Sequence, residues 1–258
     1  MRVELPRVTE AHIRIVAGEV GVTAGSGPAR VDAEVVHGPP VTVELDAGVL
    51  TITHQPESWL DRIGVGGRER CESIVTVTLP ADVPVHVHAV SGDIVAAGVQ
   101  AGVALTTVSG RVTASDVGGH VRLNSVSGAI EAQAVDGQAS VNTVSGRVVV
   151  TGRVSELNGH AVSGALTFDL DETPDVSLST VSGAVVLRLP DDAGMHLDLT
   201  TMSGHLDSAF AFSGTSTKRR VSGDVGDGGR NVGVRSMSGD IAILSKARAT
   251  ASAGMVDE

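Results

Sequence analysis

Residues 90–164 read VSGDIVAAGVQAGVALTT, VSGRVTASDVGGHVRLNS, VSGAIEAQAVDGQASVNT, VSGRVVVTGRVSELNGHA and VSG, so a Val-Ser-Gly tripeptide returns every 18 residues. It comes back at Val181-Ser182-Gly183, Met202-Ser203-Gly204 and Met237-Ser238-Gly239, after steps of 19, 21 and 35 residues. Within a period the apolar positions are Ile94, Ala96, Val99, Val103, Leu105 and Val108, and the next period repeats them at Val112, Ala114, Val117, Val121, Leu123 and Val126. Alternation at 94–96 and 103–105 describes strands with one buried face. The step of three to Val99 breaks that parity, so a corner is expected there. Strands this short have no stability alone, but coils stacked at ~4.8 Å pair one another's backbones and align like residues in columns.

The prediction is an all-β, single-domain parallel β-solenoid of 18-residue coils, each of two short strands. The crossover rule makes it right-handed. Helix is excluded by dominant β-branched residues and a Gly in every period. The Gly of each Ser-Gly pair is assigned a corner with positive φ, and the Ser a bond to corner backbone. Expected boundaries are an N-terminal arm over 1–7, the solenoid over 8–245 and a flexible tail over 246–258. Stretches 54–72 and 208–230 leave the repeat and are expected to be irregular loops or edge covers, with Val221-Ser222-Gly223 as loop. Leu79-Pro80-Ala81-Asp82 and Leu189-Pro190-Asp191-Asp192 echo each other as strand-ending turns.

Composition fits this interior. The 258-residue chain has 32 Gly, one Trp, no Tyr and 2% aromatic residues, so its core must be thin and built from Val, Ala, Leu and Ile. A formal charge of −11 repels phosphate backbones, and nucleic acid is not an expected partner. No run of ~18 apolar residues and no basic-then-apolar leader occur, so neither membrane contact nor a signal peptide is expected and a cytoplasmic location is. The single Cys71 agrees with a reducing compartment.

The Val-Ser-Gly train, the Leu-Pro-(Ala/Asp)-Asp steps and Ser238-Gly239-Asp240-Ile241-Ala242-Ile243 resemble the DUF4097 family of bacterial β-strand-repeat, adhesin-like proteins, in composition its actinobacterial members. The resemblance covers roughly residues 8 to 245. It implies a fold and no reaction, cofactor or catalytic residue.

The repeated serines, Ser91 to Ser238, form a column, whereas a nucleophile is singular, and no nucleophile elbow occurs. His86 and His88 share a strand face, the usual start of a metal site, but the 18-residue register puts Thr106, Asn124, Asn142 and His160 beside His88 and offers no third close ligand. Metal, calcium and other cofactors are therefore not expected. Acids do not cluster: the column at position 93 reads Asp93, Arg111, Ala129, Arg147, Ala165. Thr107, Ser125, Thr143, Thr180 and Thr201 align in a hydroxyl array, which lacks the second column an ice-binding surface would need.

The expected function is a non-catalytic scaffold or protein-binding module, with a protein partner or self-association. Its candidate contact residues lie where the repeat is interrupted: Trp59, Arg62, Arg68 and Arg70 in the first loop, and Lys218, Arg219 and Arg220 in the second. The competing reading is a carbohydrate-binding or carbohydrate-active protein with its site near Trp59 or Phe210/Phe212.

Overall fold

The computed structural model describes residues 1–55, 71–192 and 194–246. Among the described residues there are strands and no helix. The alternating apolar sets stack as the periodicity requires. Ile94, Val112, Ile130, Val148, Leu166 and Val185 align one above another in parallel register, and all are buried. Val87, Leu105, Leu123 and Val141 form the matching column of the other leg. Gly159 follows Val141, and the space it leaves is filled by Leu178 and by Phe168, the largest wholly buried side chain among the described residues. The result is a β-solenoid-like stack with one continuous core.

The parity break is a left-handed residue. Gly98, Asp116 and Ala134 occupy equivalent places with φ of 77°, 51° and 52°, and Val99, Val117 and Val135 behind them return to the core. The backbone turns there without ending its ladder. Val112–Ser127, Ile130–Ser145 and Val148–Ser163 are each one 16-residue strand where two short ones were expected.

Coil order in space departs from chain order at both ends. Glu10–Ala24 lies between Val85–Ala97 on one side and the pair Val49–His54 and Glu72–Leu79 on the other, parallel to all of them. At the far end, Arg230–Ser236 and Ile241–Lys246 lie between the coil Asp175–Ser182/Val185–Pro190 and the coil Met195–Thr201/Leu206–Ser208. The two Leu-Pro-x-Asp steps fall where the chain must climb past an inserted coil, about twice the usual ~4.8 Å rise. Lys246 pins the second insertion by donating to Asp169 and, at 2.9 Å, to Asp171. Burial works against its ammonium, but the two carboxylates outweigh that and raise its pKa above the ordinary lysine value.

Several expected boundaries change. Residues 2–5 are an edge strand antiparallel to Ala29–His37, which itself lies antiparallel on Glu72–Leu79. Region 208–230 contains the hairpin Ser213–Ser216/Arg220–Val225, laid antiparallel on Met195–Thr201. Val221, expected in a loop, is buried in it. The physical reason is common to both ends: an outermost coil exposes unpaired N–H and C=O groups, and an antiparallel strand satisfies them. These covers need not repeat, so periodicity does not reveal them. Lys246, assigned to the tail, ends a strand.

Candidate functional site

The Val-Ser-Gly corner is the most regular surface feature, and its three residues have separate tasks. Each glycine sits against the carbonyl of the glycine one coil away: a Cβ would lie 2.3 Å from that oxygen at Gly110, 2.2 Å at Gly146 and 2.0 Å at Gly183. Only Gly110, Gly146 and Gly164 of this column have positive φ, so close approach, and not the expected backbone twist, is what demands glycine throughout. The serine hydroxyls donate to the valine carbonyls of the neighbouring coil, for example Ser127 to Val108 at 3.3 Å and Ser163 to Val144 at 3.2 Å. These bonds tie each corner to the next.

The valines themselves turn outward. Val108 and Val126 belong to the repeated apolar set, but the inward place goes to the residue before each, and Thr107, Ser125, Thr143, Thr180, Thr201 and Ser236 are buried there. Thr107 donates to the Gly92 carbonyl, and Thr201 both donates to the Gly239 carbonyl and accepts from the Gly204 N–H. A buried column cannot be an ice-binding face. With the hydroxyl inside, strand alternation puts the next residue in solvent. Val90, Val108, Val126, Val144, Val162 and Val181 are 42–48% exposed, and Met237 and Met202 continue the row at 53% and 63%. Eight apolar side chains thus form one ridge about 34 Å long at ~4.8 Å per step. A shallow groove of about 290 Å³ runs beside it, floored by the column Thr106, Asn124, Asn142 and His160. Asn142 donates to Asn124 and Asn124 to Thr106, bonding coil to coil along this column.

His86 gains close ligand-type partners from a strand outside the 18-residue register, and His88 does not. The inserted strand Glu10–Ala24 sets His12 opposite His86 and Arg14 opposite His88. The rings of His12 and His86 stack with centroids 4.8 Å apart and planes 9° from parallel. Glu10 Oε1 lies 2.9 Å from His12 Nε2 and 3.3 Å from His86 Nε2. His86 therefore has two close partners that the 18-residue register did not offer, both from residues more than seventy positions earlier, and His88 is not among them. His88 lies one pair further along, its pKa lowered by partial burial first and then by Arg14, His86 and His12. His160 is elsewhere, 2.6 Å from the Ser179 hydroxyl.

The loop candidates fare unevenly. Trp59, Arg62, Arg68 and Arg70 lie outside the described residues. Arg220 is engaged with Asp198 at 3.4 Å. Lys218 and Arg219 line a cleft of about 520 Å³ with Ser203, Gly204, His205 and Leu206 at the C-terminal end of the stack. Phe210 is buried, and Phe212 is partly buried against the core at that end.

A ladder of parallel coils with serine-glycine corners and covered ends defines a β-solenoid-like repeat protein. The chain belongs to the Toastrack DUF4097 family, whose profile matches residues 9–244. It is similar to a solved structure of a proposed cell adhesion protein from Clostridium sporogenes, with 12% identity over 95% of this chain and 98% of that one and a TM-score of 0.30. No curated protein matches the chain. Among the described residues no helix is long and apolar enough to cross a membrane.

Proposed function

We propose that this protein is a non-catalytic rod that pairs with a second copy of itself through the valine ridge. The observation that carries the reading is the unbroken row of eight exposed apolar residues, Val90 to Met202. It leaves on the order of 500 Å² of apolar surface in one strip, the upper range for the largest patch on a monomer. The spacing of the row is set by backbone pairing, so a partner matches it over its whole length only if it has the same ~4.8 Å period. A second copy has that period by construction, and an antiparallel two-fold arrangement closes without leaving a free ridge.

Charge supports the antiparallel choice. The column flanking the ridge runs Asp93, Arg111, Ala129, Arg147, Ala165, Ala184, Asp240, His205 in stack order. Reversed against itself, it sets Arg111 against Asp240 and Asp93 against His205, with Ala129 against Ala184. A parallel arrangement would not bring this column onto its own copy. The serine column, committed to corner carbonyls, supports the absence of catalysis from this reading.

Sedimentation across a concentration range tests it. The wild type should show a monomer–dimer equilibrium. Val126→Lys/Val144→Lys, at outward positions, should melt within a few degrees of wild type and remain monomeric, and Arg111→Glu should weaken the dimer most at low salt. A wild type monomeric at every concentration, or a lysine variant that still dimerises, overturns the reading.

A further inference from the structure

We propose that Glu10, His12 and His86 form a binding site for one divalent transition-metal ion of the zinc class, which clips the inserted N-terminal strand to the coil beside it. Nothing in the ridge reading bears on this site, which sits at the N-terminal end of the stack on the strands Glu10–Ala24 and Val85–Ala97.

The donor set is built by two independent geometric facts. Glu10 and His12 are two residues apart on one strand and so share a face. His12 and His86 are direct partners across a parallel ladder, which brings the two rings into a stack. Both Nε2 atoms converge on the same carboxylate oxygen, at 2.9 and 3.3 Å, and the three donor atoms all lie within 4.8 Å of one another. Zinc binds imidazole nitrogen and carboxylate oxygen at about 2.0–2.2 Å, so small side-chain rotations bring all three into range. Two imidazoles and one carboxylate leave a fourth position for water.

Softness selects the ion. Imidazole favours zinc, copper, nickel and iron over calcium and magnesium, which seek oxygen alone. All three residues are half-buried, accessible enough for an ion to enter and sheltered enough to hold it. Arg14 carries its charge at the next pair along, beside His88, and not within the trio. The link joins positions 10 and 12 to position 86, so an ion bound only by the folded arrangement stabilises the insertion by mass action.

The test uses the full chain, stripped with a chelator, and Zn²⁺ as the titrant, with Co²⁺ as a spectroscopic probe of nitrogen ligation. Calorimetry should show one saturable site, and zinc should raise Tm relative to chelator. His12→Gln and His86→Gln should each weaken zinc binding at least tenfold and remove the Tm increase, and Glu10→Gln should weaken it too, while all three fold without metal. His88→Gln and His160→Gln should bind as wild type does. Absence of saturable binding up to millimolar zinc overturns the proposal. So does binding that survives in the Glu10→Gln/His12→Gln/His86→Gln variant, or binding lost in either control.

Discussion

The carbonyl oxygen of Gly110 lies 1.8 Å from the point where the Cβ of any other residue at position 128 would stand. The two glycines are one coil apart, and their contact is the tightest of the corner column. Gly128→Ala must push two coils apart or bend the corner, whereas Ser127→Ala removes one exposed hydrogen bond to Val108. The first should cost ~3 kcal/mol or more and the second ~1 kcal/mol or less in urea unfolding. Equal losses would mean that the corner relaxes freely.

Ala134 and Asp116 hold φ of 52° and 51°, a region that costs an L-residue about 1 kcal/mol or more. Ala134→Gly should therefore be neutral or stabilising by up to ~1 kcal/mol, despite the extra freedom it gives the unfolded chain. Gly98→Ala, at the equivalent place, should destabilise, because its Cβ would meet Ala24 Cβ at 2.9 Å. In thermal melts Gly98→Ala should lower Tm, and Ala134→Gly should leave it unchanged or raise it.

Inside the corner, the hydroxyls of Thr143 and Thr180 are buried with no hydrogen-bond partner among the described residues, whereas Thr201 makes two bonds. Thr143→Val exchanges an unsatisfied hydroxyl for a methyl of the same shape and should be neutral or stabilising. Thr201→Val strands the Gly204 N–H and should cost ~1–3 kcal/mol. Chemical denaturation of the pair separates the two cases.

Acid should loosen the C-terminal insertion. Asp175 accepts from the Asn231 N–H at 3.0 Å, and that bond first, then Arg230, holds its carboxyl below the usual aspartate pKa. Asp240 is lowered chiefly by the His205 N–H. A depressed folded-state pKa contributes stability that is fully present above the unfolded value, ~3.9, and is lost as pH falls through the folded one. The Tm difference between wild type and Asp175→Asn should be constant from pH 7 to about 5 and shrink below about 4. A difference independent of pH down to 2 would contradict this.

What could be read in the sequence follows from what repeats. Ile94, Val112, Ile130 and Val148 recur in one chemical environment, so periodicity alone placed them inside. Val108 repeats with the core residues yet faces out, because Thr107 takes the inward place through its hydroxyl's bonds to corner backbone, which an apolar pattern does not show. Region 208–230 hid its hairpin because a covering strand pairs through backbone and repeats nothing. His86 looked incomplete because stacking was assumed to follow chain order, and Glu10 and His12 stand outside that order. The signal that could have found them is the Ala11, Ile13, Ile15 alternation, which matches Val85, Val87 and Ala89.

Placing Glu10–Ala24 and Ile241–Lys246 inside the stack also decides when the rod can be finished during synthesis. An ordinary solenoid can wind up behind the ribosome, each new coil settling on the last. Here Glu10–Ala24 leaves the ribosome with neither of its neighbours made, and it must wait for Val85–Ala97 before its second edge is covered. Arg230–Lys246 comes after both coils that flank it, so a nascent chain already carrying residues 175–208 must keep a slot of one strand's width open, or close it wrongly and reopen it. The coil Arg230–Lys246 is thus a keystone, and a ribosome stalled before residue 230 would hold a rod with two unsatisfied strand edges facing each other across the gap.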